Sequence, residues 1–398
     1  MGEGIESPAS QGRRRKSPPL FFRSLLLWDD EGVDAAVSDR IEQIRKQLET
    51  VRAQALVVTH LPNLLYLCGF TGSNAILIVL PDSIHLFTDS RYTLQARQEA
   101  PGVRIDIMRG ALVDAIGEFL RQRAARAPRV PLRVAYEAAN LSVAQWTRLR
   151  SAAGERIRWK STTSLVEALR ETKTPGELAV MRASAQIGSE VMAEMLKMVR
   201  PGVSELDLAA EADYRMRRKG ASGPSFETIV ASGARTALPH ARPTAKRLRK
   251  NELVLLDLGV ILRHYCSDLT RTVYLGRAPA KIRRWYQAVE RAQQAALETL
   301  RAGAAAGAVD RAARRVLDSY QLGRYFTHST GHGLGIEIHE SPRLGRMQKQ
   351  EIRAGNVVTL EPGIYLEGVG GIRLEDEVAV HQDQTEVLTS APRGLLEL

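Results

Sequence analysis

The chain reads as an α+β protein in two parts, and three observations carry that reading. From residue 38 to about 165, helical and strand periodicities alternate. Beyond Lys173, the order of two helices followed by strands occurs twice. Between the two parts, Lys173-Thr174-Pro175-Gly176-Glu177 marks a helix start: Thr174 suits the N-cap, Pro175 the first turn, and Glu177 closes a capping box. These observations divide the chain into a disordered basic extension over 1–36, an α/β domain over 37–168 and a pseudo-symmetric α+β domain over 173–390. At 398 residues it is long enough for two well-formed cores.

In the first domain, Arg40 to Arg52 has the spacing of an amphipathic helix, and Ala55-Leu56-Val57-Val58-Thr59 reads as a buried strand. Ala75 to Leu80 and Ile84 to Thr88 form a hairpin turned by Pro81-Asp82-Ser83, and Asp89 opens a helix running to Glu99. In the second domain, helices are predicted from Pro175 to Arg200, where Pro201-Gly202 stops the first, and from Ser204 to Arg218. Strands follow at Phe226 to Ala231, Glu252 to Val260 and Ser267 to Leu275. The repeat has helices at Pro279 to Arg301 and Val309 to Tyr320, then strands near Val357 to Glu361 and over Gly371 to Val380. Two such halves predict helices covering one face of a curved sheet, with a ligand bound where the halves meet.

Composition narrows the function. A hydrophobic share of 44% and a charged share of 25% belong to an ordinary globular protein. Two cysteines, Cys68 and Cys266, make no disulfide framework and point to a reducing, cytoplasmic setting. The net charge of +11 is spread widely, and no base-stacking or helix-turn-helix pattern accompanies it, so a solvated surface is favoured over nucleic-acid binding. Near the N-terminus, Arg23 interrupts the apolar run Leu20 to Trp28 and Asp29-Asp30-Glu31 follows it, which argues against a signal peptide. No stretch reaches eighteen apolar residues, so no membrane span is expected.

Five side chains of the last third carry the chemistry: Asp257 in Leu-Leu-Asp-Leu-Gly, Asp268 in Ser-Asp-Leu-Thr-Arg-Thr, His332 in Gly-His-Gly-Leu-Gly, Glu361 in Glu-Pro-Gly-Ile-Tyr and Glu375 in Arg-Leu-Glu-Asp. Four carboxylates and one imidazole can hold two divalent cations a few Å apart and activate a water for hydrolysis. Asp257 sits among leucines, where an unpaired carboxylate costs several kcal/mol in desolvation. Asp268 follows eleven residues later across a hairpin, which returns it to the same region of sheet. The bland alternative is a buried carboxylate paired with an arginine such as Arg271. Arg373 and Glu375 share one strand face, and Asp376 takes the other. Cys266 reads as a packed thiol. Tyr265 and Tyr365 fit a cleft wall or aromatic packing equally well. The glycines at 331, 333 and 335 lack a P-loop lysine and are expected to let the backbone pass close to the site.

In this order, the five motifs resemble the pita-bread metallopeptidases, the family of methionine aminopeptidase, aminopeptidase P and prolidase. The resemblance covers about residues 37 to 390 and is most specific from Phe226 onward. It implies a creatinase/prolidase-like N-terminal domain followed by a pita-bread catalytic domain. It also implies two metal ions, with Asp268 and Glu375 bridging, Asp257 completing one site, and His332 with Glu361 completing the other. Oxygen-rich ligation without thiolate favours Mn²⁺ or Co²⁺, with Zn²⁺ or Fe²⁺ as alternatives. His240 in Leu238-Pro239-His240, His339 and His328 fall at the family's histidine positions. His240 is expected to stabilise the oxyanion, His339 and Arg373 to position substrate, and His328 to support the metal shell or the fold.

The implied reaction is hydrolysis of the bond before a proline in the second position, through a metal-bridging hydroxide, with Glu361 moving the proton. An Xaa-Pro aminopeptidase is expected ahead of an Xaa-Pro dipeptidase, because no basic residue stands beside His240 or His339 to clamp a free carboxylate; Arg242 and Arg343 are the nearest. A creatinase-like hydrolase or a binding module ranks below both, since such relatives tend to lose the ligands retained here. A homodimer is implied as well, peptides are the expected partners, and no nucleic acid or membrane is.

Overall fold

A computed structural model describes residues 30–126 and 130–398, with side chains from 37 onward. Residues 1–29, most of the expected basic extension, lie outside the described residues. The rest of that extension is different from the expectation, since α1 (Asp30–Thr50) already begins within it.

The first domain is built on one mixed sheet of β1 (Ala55–Val58), β2 (Ala75–Val79), β3 (Ile84–Asp89), β4 (Arg104–Met108), β5 (Leu132–Glu137) and β6 (Ile157–Thr162), ordered β4-β3-β2-β1-β5-β6. Strand alternation sends Leu56, Val58, Leu77 and Val79 to one core, which they share with α1 and α2 (Leu61–Cys68). Ala55, Val57, Ile76 and Ile78 face the other, under α4 (Leu112–Ala125) and α5 (Val143–Ala153). Short helices α3 (Thr93–Glu99) and α6 (Glu167–Arg170) complete the domain. Both sheet faces are therefore covered, as continuous apolar strands require.

The second domain opens with α7 (Pro175–Leu196) and α8 (Glu205–Arg218). Thr174 and Ser204 each complete a capping box, with Glu177 and Asp207 as the returning acids. The first half continues through β7 (Gly223–Pro224), β8 (Ile229–Ser232), β9 (Glu252–Leu258), β10 (Val260–Leu262), β11 (Tyr265–Cys266) and β12 (Leu269–Leu275). A two-residue turn joins β10 to β11, with Arg263 and His264 both at positive φ, the geometry that matches strand twist in a tight hairpin. The second half repeats the plan with α9 (Ala280–Thr299), α10 (Ala306–Ser319), β13 (Gly331–Gly333), β14 (Glu340–Leu344), β15 (Val357–Leu360), β16 (Gly363–Leu366), β17 (Gly370–Arg373), β18 (Asp376–Val380) and β19 (Thr385–Val387).

Each half has its own core of helix against sheet. Met192, Leu208 and Met216 pack on Val254, Leu256 and Val273, while Val289, Val309 and Leu317 pack on Val358, Leu360 and Val378. Each such side chain contributes roughly 1.5–3 kcal/mol by leaving water. The halves are stitched along β12: the Arg373 amide donates to Thr272 Oγ1 at 3.1 Å, and the Glu375 amide donates to the Thr270 carbonyl at 3.2 Å.

One predicted element is not a single unit. The expected strand Gly371 to Val380 is broken at Leu374-Glu375, because β17 pairs with β16 while β18 pairs with β15. The chain changes sheets at that point, and the break turns Glu375 toward the other half.

Candidate metal centre

Asp268, His332 and Glu375 each bring a ligand atom within 4.8 Å of the others, at the junction of the two halves. Asp268 stands just ahead of β12, where its amide donates to Glu377 Oε1 at 2.8 Å. His332 is the middle residue of β13, and Gly331 before it permits that placement: a Cβ there would come within 1.9 Å of the Thr359 carbonyl oxygen on β15. Glu375 Oε2 accepts from the Thr270 hydroxyl at 2.6 Å. The other two expected ligands border this trio. Glu361, just after β15, puts Oε1 3.8 Å from His332 Nε2, and Asp257 within β9 has its Oδ2 engaged by Arg373.

The donors suit a cation. His332 Nδ1 faces the Gly333 carbonyl at 2.9 Å and can only donate there, so Nε2 keeps its lone pair. Burial holds this imidazole neutral, with its pKa down at about 4. That lone pair looks onto two carboxylates, Asp268 at 3.7 Å and Glu361 at 3.8 Å, which is unfavourable unless something positive lies between them. Asp257 Oδ1 is buried with no hydrogen-bond partner. Burial, and then mutual repulsion with Glu375, Asp257 and Glu361, raises Asp268 well above the carboxylate range. Glu375 is raised in the same way, and burial moves Glu361 up to about 7 against the pull of Arg373. Among the described residues, four carboxylates thus share one guanidinium, a deficit that divalent ions would remedy.

The expected histidines surround this group. His240, His328, His332 and His339 line one cleft of about 380 Å³ with Glu361 and Arg373. His339 packs edge-on against His332 with ring centroids 4.4 Å apart, and burial lowers its pKa. His328 donates from Nδ1 to the Ser329 carbonyl at 2.8 Å, and its Nε2 accepts from the Tyr365 hydroxyl at 2.8 Å. It stands 4.0 Å from Glu361 and is kept neutral by burial, which places it as a support beside the donor group. Arg373 is more deeply committed than a residue expected to hold substrate. Its guanidinium bonds Asp257, the Thr270 hydroxyl at 3.1 Å, the Tyr365 oxygen at 2.9 Å and the Pro239 carbonyl at 3.0 Å, and the last contact anchors the segment bearing His240.

Several alternatives left open by the sequence now separate. Arg271 pairs with Asp376 at 2.8 Å on the opposite face of β12, so it does not neutralise Asp257 or Asp268. Cys266 is a buried thiol 3.6 Å from the Ile336 carbonyl, raised by burial. Tyr265 is also buried and donates to Glu177 at 2.6 Å, away from the cleft, whereas the Tyr365 hydroxyl bonds His328 and Arg373, which line it. Sequence reasoning missed Thr270 and Glu377, whose roles depend on contacts across the two halves.

The first domain matches the creatinase/prolidase N-terminal domain over residues 40–172, and the second matches metallopeptidase family M24 over residues 179–382. The chain belongs to metallopeptidase family M24. It is 32% identical to the uncharacterized peptidase YqhT of Bacillus subtilis, over 90% of this chain and 100% of that one. Its fold is similar to an Xaa-Pro dipeptidase from Bacillus anthracis, with a TM-score of 0.86, 32% identity and coverage of 91% of this chain and 100% of that one. It is likewise similar to an X-Pro aminopeptidase from Thermotoga maritima, with a TM-score of 0.81, 30% identity and coverage of 90% and 99%. This M24 protein is a hydrolase of the metallopeptidase type with the pita-bread fold. Among its described residues, no helix is long and apolar enough to cross a membrane.

Proposed function

We propose that this M24 member hydrolyses the bond between an N-terminal residue and proline, with two divalent ions, Mn²⁺ or Co²⁺ before Zn²⁺ or Fe²⁺, and that it does so as an Xaa-Pro dipeptidase. The preference for a dipeptidase reverses the order expected from sequence, and one observation carries it. Arg343, eleven residues after His332, lines the same cleft as His240 and His339. Its described hydrogen bond is a long one of 3.4 Å to the Ser329 hydroxyl, and it has no carboxylate partner among the described residues. A free guanidinium at the cleft wall is suited to a substrate's terminal carboxylate, which it can meet in a bidentate pair. Arg242, the other basic candidate, instead pairs with Glu227 at 3.2 Å and is exposed.

Asp257, Asp268, His332, Glu361 and Glu375 would hold the ions, which when bound supply Lewis-acid polarisation of the scissile carbonyl and a lowered water pKa. The chain's own groups do the rest. His240 donates to the developing oxyanion, and His339 holds the substrate backbone beside it. Glu361 carries a proton from water toward the proline nitrogen, which has no hydrogen of its own in the intact peptide. Arg373 orients Asp257 and Tyr365, and His328 steadies Glu361 through its place beside Tyr365.

The test is kcat/KM for Ala-Pro against Ala-Pro-Ala with Mn²⁺ or Co²⁺. The dipeptide should be preferred, and Arg343→Met should lower its kcat/KM by roughly 10- to 100-fold, the worth of a charge-assisted pair, while sparing the tripeptide. A tripeptide preference untouched by Arg343→Met would establish the second reading, an Xaa-Pro aminopeptidase. That reading is favoured by the exposure of Arg343, whose long side chain is able to swing clear of a longer peptide. We also infer a homodimer, for which light scattering at micromolar concentration should give twice the chain mass; a monomer would refute it.

A further inference from the structure

His339 is carried by the loop between β13 and β14, and two carboxylates bracket it, Glu337 before and Glu340 after. Glu340 borders the same cleft, but both carboxylates are engaged outside the donor group. Glu340 folds beneath its own loop, where Oε1 accepts from the Glu337 amide at 3.1 Å, and Gly335 leaves it room, since a Cβ there would lie 2.6 Å from Glu340 Oε2. Cations on the first domain and at the start of the second then seize both acids. Arg170 of α6 donates from Nη2 to Glu340 at 2.5 Å and to Glu337 at 2.8 Å, and Lys173 reaches Glu340 at 3.1 Å. His60, at the N-cap of α2, sets Nε2 3.2 Å from Glu337.

Arg170 and His60 are themselves held by the first domain. Asn63 Oδ1 accepts from Arg170 Nη1 at 2.7 Å, and Glu167 stands 3.8 Å from His60 Nδ1. The Arg170 side chain is only 2% exposed, so its contacts with the loop are made away from water, where they are stronger than surface pairs. Contact with Glu167, then Glu337, raises His60 to a pKa of about 9, so it is a cation at neutral pH.

We propose that His60 and Arg170 are positioning residues for His339: the N-terminal domain fixes, through Glu337 and Glu340, where that imidazole stands in the cleft. The domain would then be part of the active machinery, although none of its described residues lines the cleft beside the donor group. This inference rests on the peptidase reading above for its kinetic test and is independent of it for its spectroscopic one.

His60 is partly exposed, so His60→Gln and Glu337→Gln should fold. Each should lower kcat/KM on Ala-Pro by about tenfold, mostly through KM, as expected for a mispositioned substrate contact. In a His339→Ala background the same substitutions should change little. Arg170→Lys should recover more activity than Arg170→Met. With ¹⁵N-labelled histidine, the His339 ring signals, assigned by their loss in His339→Ala, should move in both glutamine variants with or without substrate turnover. An unmoved His339 signal in folded variants would overturn the proposal, and so would a tenfold loss that persists in the His339→Ala background. If the wild-type chain fails to cleave Ala-Pro, the peptidase reading falls and the ring signals still decide the inference.

Discussion

Strand β12 has two faces, and buried acids meet them on very different terms. On one, Asp376 is fully compensated: Arg271 reaches it at 2.8 Å, Arg393 at 3.3 Å, and the Thr389 hydroxyl donates to it at 2.7 Å. On the other, beginning at the adjacent residue Thr270, Asp257, Asp268, Glu361 and Glu375 converge with Arg373 as their one guanidinium among the described residues. Burial alone therefore does not mark a functional acid. What marks it is burial without enough partners, because a folded chain retains so costly an arrangement only where something else supplies the charge.

The largest effect should separate these faces. Asp268→Ala should reduce peptide hydrolysis on the order of a thousandfold or more, since it removes the centre of the donor group. Asp376→Asn should leave metal content intact and act on stability instead. Breaking a closed buried pair costs about 3–5 kcal/mol, or a fall in Tm of roughly 10 °C for a domain of this size. Calorimetry and metal analysis on both variants check this, and equal metal loss in the two would erase the distinction. Next in size is stabilisation by the ions themselves. Adding Mn²⁺ to chelator-treated protein should raise Tm by about 5–10 °C, as a ligand at a hundredfold excess over Kd contributes about 2.7 kcal/mol. No such rise should occur in Asp268→Ala.

The smallest effect concerns His60, whose acids are partnered but not neutralised by metal. Its folded pKa of about 9 lies above the ordinary 6.5, so its stabilisation is complete below pH 6.5 and is lost as pH rises through 9. The Tm difference between wild type and His60→Gln should be about 2–4 °C at pH 6 and close to nil at pH 10. A difference that does not change with pH would show that the imidazolium contributes no net stability.

How far all this was legible from sequence follows from how local each signal is. The capping box at Thr174, the helix-helix-strand repeat and the clustered trio Asp268, His332 and Glu375 each lie within a few neighbours of a recognisable pattern. Gly331 was legible for the same reason, since a glycine beside a buried histidine announces close backbone approach. The break at Leu374-Glu375 was not, because whether a strand continues or changes sheets depends on which partners are present. Nor was Arg343. Its distance from His332 in sequence says nothing about the hairpin of β13 and β14, which pairs the two residues across the strands. The hold of Arg170 on Glu340 spans 170 positions and has no local trace at all.

The central claim is that the uncompensated face of β12 is a site for two divalent ions. Its most direct test is the stoichiometry of Mn²⁺ or Co²⁺ on chelator-stripped protein, measured by titration calorimetry and elemental analysis, for wild type, Asp268→Ala and Asp376→Asn. Two ions per chain are expected in wild type and Asp376→Asn, with a sharp loss in Asp268→Ala. A wild-type chain that binds neither ion, or full occupancy in Asp268→Ala, would contradict it.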